Sequence, residues 1–318
     1  MIKKALLRLR KKILFLNYLL IISFLFISNS CTESKSTNQK EELYIVCTTG
    51  MIWDAVKNIA KDRAKTEAIM GPGVDPHLYK ATRNDLTMLR EADIVFYNGL
   101  HLEGKMGEVM EKLGRQKAVI AVSEKIDKSR LHQLTGSSDA IDPHIWFDVN
   151  PWSEAVKHIR DKLMELDKKN KDFYSKNAEE YLKQLAELHE EVKKDIASIP
   201  SEIRVLITAH DAFGYFGKAY DIEVRGLQGI STVSEFGLKD ISDLSNFIVS
   251  RKIKAVFVET SIPRKSLEAV VEGCQEKGHQ VKIGGTLYSD AMGADDTPEG
   301  TYVGMVRANV RTITDALK

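Results

Sequence analysis

Three cysteines in 318 residues are too few, and too odd a number, for a disulfide framework. No CxxC pair occurs, so a thiolate metal site has no support either. Cys47 lies in the apolar run LYIVC and Cys274 in the helix-like VVEGCQEKG, the settings of buried, inert thiols. An HExxH motif is also missing, which removes the usual signature of a zinc hydrolase. There is no internal repeat at solenoid periods and no low-complexity tract beyond one short polar stretch. No apolar run reaches the ~20 residues that span a bilayer. The longest runs from Ile13 to Ile27 and is broken by Asn17, Tyr18 and Ser23. A basic surplus is absent as well. The net charge of +1 rests on six basic residues, Lys3 to Lys12, in a segment of 30 that holds no acidic one. Without those six, 40 basic side chains face 45 acidic ones. A mildly acidic body offers no electrostatic footprint for nucleic acid, so no nucleic-acid partner is expected.

What is present begins at the N-terminus. A basic stretch, an apolar run and the small polar residues Ser28, Asn29 and Ser30 form the pattern of a secretory signal over residues 1–30. The next residue, Cys31, resembles the lipid-modified cysteine of bacterial lipoproteins. Ser30 fits the small residue that precedes such a cysteine, whereas Ser28 stands where leucine is usual. A cysteine that merely follows the signal is the alternative reading. Thr32–Glu42 (TESKSTNQKEE) is polar and uncommitted to structure, as a tether over residues 31–42 would be. The expectation is an exported chain held to a membrane by a lipid, facing the periplasm or the cell exterior.

Beyond the tether, short β-rich apolar runs alternate with amphipathic stretches, which predicts an α/β fold with parallel sheets covered by helices. Candidate strands are 43–48, 67–70, 93–97 and 118–122, then 204–208, 223–227, 255–259 and 280–283. Between the two sets Asn150-Pro151 reads as a cap followed by a first-turn proline, opening a helix to about Leu166. A longer helix is expected from about Asp172 to Ser198. Tyr174, Ala178, Tyr181, Leu185, Leu188, Val192 and Ile196 lay an apolar stripe along it, and Pro200 ends it. Such a helix spans roughly 40 Å, the length of two small domains. The domains drawn from this are 43–165, a linking helix over 166–200, and 201–318.

Three histidines and an aspartate share one kind of position, just beyond an apolar β-run. They are His77 in MGPGVDPHLYKAT, His144 in DPHIWFDVN, His210 closing VLITAH, and Asp290 closing KIGGTLYSD. Ligand sites of open α/β sheets lie outside the carboxyl ends of strands, so these four are placed to converge. Asp-Pro-His occurs twice. Proline fixes its own φ and pushes the residue before it toward extended backbone, giving each histidine a stiff loop. Stiffness serves a metal, whose ligands must be held within tenths of an ångström. A carboxylate on the far ring nitrogen would set each tautomer, and Asp75, Asp142, Asp211 and Glu259 are candidates for that role. His101, His132, His158, His189 and His279 carry no such context.

At these residues the chain resembles a known family, the TroA-type zinc/manganese solute-binding proteins of bacterial ABC importers. The resemblance is carried by GVDPHLYKAT (73–82), ADIVFYNGLHLE (92–103), DPHIWFDV (142–149) and TAHDAFGYFGKAYDIEVRGLQGISTVSE (208–235). FVETSIP (257–263), LYSDAMG (287–293) and EGTYVGM (299–305) extend it over essentially the whole mature chain. It implies two α/β lobes joined by one long backbone helix that restricts hinge motion. It further implies one Zn2+ or Mn2+ held as cargo by His77, His144, His210 and Asp290, a membrane permease as partner, and a monomer.

Imidazole suits zinc, and carboxylate-rich sites suit manganese better. Manganese relatives commonly carry Glu at the position of His210, which leans this set toward zinc. Dedicated zinc relatives often carry a histidine-rich loop, and here residues 128–139 hold only His132. The sequence thus resembles the branch that takes either metal. The rival readings are a secreted zinc-dependent hydrolase, with Asp211 or Glu259 as base, and a surface adhesin with a bound metal. Four protein ligands leave a hydrolase no open position for water, so an enzyme is not expected.

Overall fold

The computed structural model describes residues 42–134 and 140–318; the expected leader, Cys31 and the tether to residue 41 lie outside the described residues. Among the described residues eight strands form two parallel sheets of identical order. The first is β2-β1-β3-β4, built from β1 (Leu43–Cys47), β2 (Ala64–Ala68), β3 (Ile94–Tyr97) and β4 (Ala118–Ala121). The second is β6-β5-β7-β8, from β5 (Val205–His210), β6 (Glu223–Gln228), β7 (Ala255–Glu259) and β8 (Lys282–Leu287). All pairings are parallel, as expected where helices cover both faces.

The covering helices are α1 (Gly50–Ala60), α2 (Arg83–Glu91), α3 (Met106–Gly114), α6 (Gly214–Tyr220), α7 (Leu238–Ser250), α8 (Lys265–Glu276) and α9 (Tyr302–Leu317). Between the two sets run α4 (Val149–Leu166) and the 27-residue α5 (Lys171–Ala197). The stripe read from the sequence is the buried face of α5, and Asn177 joins it. This helix packs on α1, α4 and α9. Tyr181 donates to Asp54 of α1 at 2.8 Å, so the stripe's polar atoms are also partnered. One apolar cluster, including Trp146, Trp152, Tyr174 and Tyr302, continues from the first sheet through these helices into the second. Residues 42–318 form one compact unit. No helix among the described residues is long and apolar enough to cross a membrane.

Of the boundaries that differ from the sequence reading, three have a clear local reason. Helix α4 starts at Val149, capped by Asp148 accepting from the Asn150 N–H at 2.9 Å, so Pro151 sits deeper in the first turn than expected. Proline is tolerated there because first-turn N–H groups have no helical partner. Strand β2 lies before the apolar Ile69-Met70 that marked it in the sequence. It is an edge strand, and its polar Lys65, Thr66 and Glu67 need no second neighbour. Strand β8 runs on through two glycines. A Cβ on Gly285 would sit 2.4 Å from the Thr312 side chain of α9, so glycine here permits close helix–sheet packing.

Candidate metal centre

In an open parallel sheet the crevice for a ligand opens where strand order reverses, at the carboxyl ends of the two strands flanking that point. In the second sheet those strands are β5 and β7. Thr208 pairs with Phe257, so two residues on, His210 ends β5 beside Glu259 at the end of β7. Strand β8 ends opposite Glu259, and three residues later Asp290 returns to the same crevice. The remaining two histidines come from loops. His77 follows β2 by nine residues. His144 is not beyond a parallel strand as the sequence reading had it; it follows an isolated bridge, Gln133 to Ile141, and opens the short 3-10 turn Ile145–Phe147.

The four side chains meet. One ligand atom from each of His77, His144, His210 and Asp290 lies within 4.8 Å of all the others, and all four residues are buried. The Nε2 atoms of His77 and His144 are 3.3 Å apart. His144 Nε2 lies 3.4 Å from Asp290 Oδ1, and His210 Nε2 and His77 Nε2 lie 3.2 and 3.8 Å from Oδ2. Four donors placed tetrahedrally ~2.1 Å from one ion would be about 3.4 Å from each other. The observed spacings are of that order. His210 Nε2 and both Asp290 oxygens are buried without any hydrogen bond. Atoms left so are costly unless something binds them, and a divalent cation would satisfy all three.

Carboxylates hold two of the rings from behind. Asp142 Oδ1 accepts from His144 Nδ1 at 2.7 Å and from its backbone N–H at 2.9 Å. Glu259 Oε1 accepts from the His210 N–H at 2.9 Å, while its Oε2 lies 2.5 Å from Nδ1, a close charge contact off the hydrogen-bond line. Each contact presents Nε2 to the centre. The other two candidate carboxylates do not back a ring. Asp75 takes the backbone N–H of His77 at 2.8 Å and the hydroxyl of Thr232 at 2.6 Å, across 157 residues of chain. Asp211, one residue past the end of β5, makes no side-chain hydrogen bond among the described residues. It lines a cavity of about 580 Å3 together with His77, His101, His132 and Asp142.

The electrostatics divide the four donors. Burial pushes His77 down to about 4. Burial acts to lower His144 too, but Asp142 and Asp290 outweigh it and raise the ring to about 9. Glu259 and Asp290 overcome burial at His210 and lift it well above its ordinary value. Burial would raise Asp290, yet His210 and His144 hold it well below the usual carboxylate range.

Sequence reasoning missed Trp146 and Thr232. The Trp146 indole donates to the Ser289 carbonyl at 3.0 Å, and Tyr302 donates to the Trp146 carbonyl at 2.7 Å, tying the His144 segment to that of Asp290. Both residues sit in stretches that carry the family resemblance, but spacing alone could not pair them across so much chain.

Comparison with known proteins agrees with this geometry. The model of the family described as zinc-uptake complex component A, periplasmic, matches residues 45–316. The chain is 49% identical to the manganese-binding lipoprotein MntA of Bacillus subtilis, over 90% of this chain and 94% of that one. It is 50% identical to the zinc-binding protein TroA of Treponema pallidum, over 86% of this chain and 88% of that one. The solved structure of that periplasmic zinc-binding protein superposes with a TM-score of 0.85, covering 87% of this chain and 99% of the other.

Proposed function

The chain belongs to the family of the periplasmic zinc-uptake complex component A, and from that premise we propose that it is the extracytoplasmic solute-binding component of a metal ABC importer. It captures one Zn2+ or Mn2+ and delivers the ion to a membrane permease. His77, His144, His210 and Asp290 are the ligands. The observation that carries this reading is the convergence of four buried donors, three of whose atoms have no other partner. Three imidazoles and one carboxylate lean toward zinc. The relatives at 49% and 50% identity, named for manganese and for zinc, leave both ions in play.

The same reading takes residues 1–30 as an export signal, Cys31 as the lipid anchor, and the chain as a monomer facing outward from its membrane. Residues 43–165 and 201–318 act as the two lobes, with 166–200 linking them. The protein binds rather than catalyses, because four protein ligands complete a tetrahedral shell and leave no position for an attacking water.

The test is metal content and competition. The purified chain is stripped and exposed to equal Zn2+ and Mn2+. One tightly held ion per chain, lost in His144→Ala with the fold intact, is the expected result and names the preferred metal. No stoichiometric ion would sink the capture reading.

A further inference from the structure

The motif NGLHLE, Asn98–Glu103, carries part of the family resemblance, yet none of its residues enters the metal centre. It follows β3 directly, so it occupies the first sheet's own point of strand reversal, between β1 and β3. Its backbone is unusual. Gly99, Leu100 and His101 take φ of +80°, +53° and +65° in succession, and Gly104 takes +44°. Non-glycine residues seldom adopt that region, and a pair of them is kept there only by strong surroundings.

Those surroundings are the Glu103 carboxylate, buried to 1% exposure. It accepts from the Asn98 N–H, from the Gly99 N–H at 3.2 Å and from the Thr48 hydroxyl at the end of β1 at 2.8 Å. The turn so held touches both loop-borne ligands. Asn98 donates its side-chain N–H to the Pro143 carbonyl at 3.0 Å, one residue before His144. Gly104 lies against His77 itself, and a Cβ there would stand 2.4 Å from the His77 carbonyl oxygen.

We propose that Asn98, Glu103 and Gly104 form a positioning turn that sets the separation of His77 and His144, and with it the coordination geometry offered to the metal. The inference rests on the capture reading above. The ligands of the second sheet stand on or near strand ends and need no such device. The first sheet's two ligands stand on loops, and one turn clamped by a buried carboxylate gauges both.

Cobalt(II) is the probe, since its visible absorption reports ligand geometry. The full chain, stripped and titrated with Co2+ alone, is compared with Gly104→Ala, Asn98→Ala and Glu103→Gln, together with metal-free melting curves. Gly104→Ala should weaken Co2+ binding about tenfold or more, within the ~10–100-fold range of outer-shell changes, and alter the visible bands at saturation. Asn98→Ala, which frees Pro143 without crowding anything, should do the same with little loss of metal-free melting temperature. Glu103→Gln turns one of the two acceptor oxygens into a donor facing the N–H groups of the turn, and should shift the bands in the same sense. Wild-type affinity and bands in both Gly104→Ala and Asn98→Ala would overturn the inference alone. So would weaker binding that tracks lost melting temperature with unchanged bands. A wild-type chain that holds no Co2+, Zn2+ or Mn2+ would remove the capture reading and this inference together.

Discussion

The two sheets share one strand order and use it differently. At the reversal point of the second sheet a ligand, His210, stands on the strand end itself, with Glu259 from the neighbouring strand against its ring. At the same point of the first sheet stand Thr48, Asn98 and Glu103, none of which is a ligand; they hold loops that carry His77 and His144. A strand end fixes the backbone of its donor directly, whereas a loop donor is placed through contacts from neighbouring segments. Carboxylates back the rings of His210 and of His144, whereas none backs the ring of His77, which burial lowers and whose backbone Asp75 holds.

The largest effect should come from removing the strand-end ligand. His210→Ala deletes a donor and leaves Glu259 and Asp290 buried without their partner. Affinity for the ion should fall by more than the ~100-fold upper end of outer-shell substitutions. A chelator-competition titration measures it beside His77→Ala. If the His77 variant loses as much or more, strand-end anchoring is not what ranks the ligands.

Much of this division was legible in the sequence and some was not. His210 and Asp290 could be read because strand endings show as apolar runs, and VLITAH ends on the ligand itself. The stripe of α5 could be read because its period survives over 27 residues. His144 is legible through its Asp-Pro-His context, although among the described residues the segment before it holds an isolated bridge rather than a strand. The pairings were beyond reach. Asp75 with Thr232, Trp146 with Ser289 and His210 with Glu259 join residues 157, 143 and 49 positions apart, and nothing local encodes them. In the sequence Asp211 is the equal of Asp142 as a backing carboxylate, but it lies past the end of β5 and hydrogen-bonds no ring among the described residues.

Next in size is the dependence on pH. Without metal, neighbouring carboxylates outweigh burial and raise His144 to about 9 and His210 well above its ordinary value, which favours a proton on both rings at neutral pH, while burial lowers His77 to about 4. Metal takes only neutral imidazole, so binding at pH 7 should release about two protons per ion. Affinity should then fall about 100-fold for each pH unit lost near neutrality, since linkage makes the slope equal to the protons released. The sign for stability runs the other way. A folded pKa raised to about 9 means that the metal-free chain gains from His144 fully below its ordinary ~6.5, and loses that gain as pH rises through 9. Calorimetric titration in buffers of different ionisation heat counts the protons. Release of none would show that His144 and His210 are neutral before the metal arrives, and the contrast with His77 would collapse.

The smallest effect sharpens the comparison most. Asp75 reaches the first-sheet loop through the His77 N–H and the second half through the Thr232 hydroxyl, so it supports a ligand by its backbone and not by its ring. Thr232→Val removes one hydrogen bond of about 0.5–1.5 kcal/mol and keeps the shape. It should weaken metal binding only two- to tenfold or so. Glu259→Gln, which changes the contact on a ligand ring, should cost roughly 10–100-fold. Both are read in one competition assay with one indicator. Equal losses would mean that the placement of the His77 loop governs affinity as strongly as the electrostatics of the strand-end ring. A smaller loss for Thr232→Val keeps the order in which strand ends dominate and loops adjust.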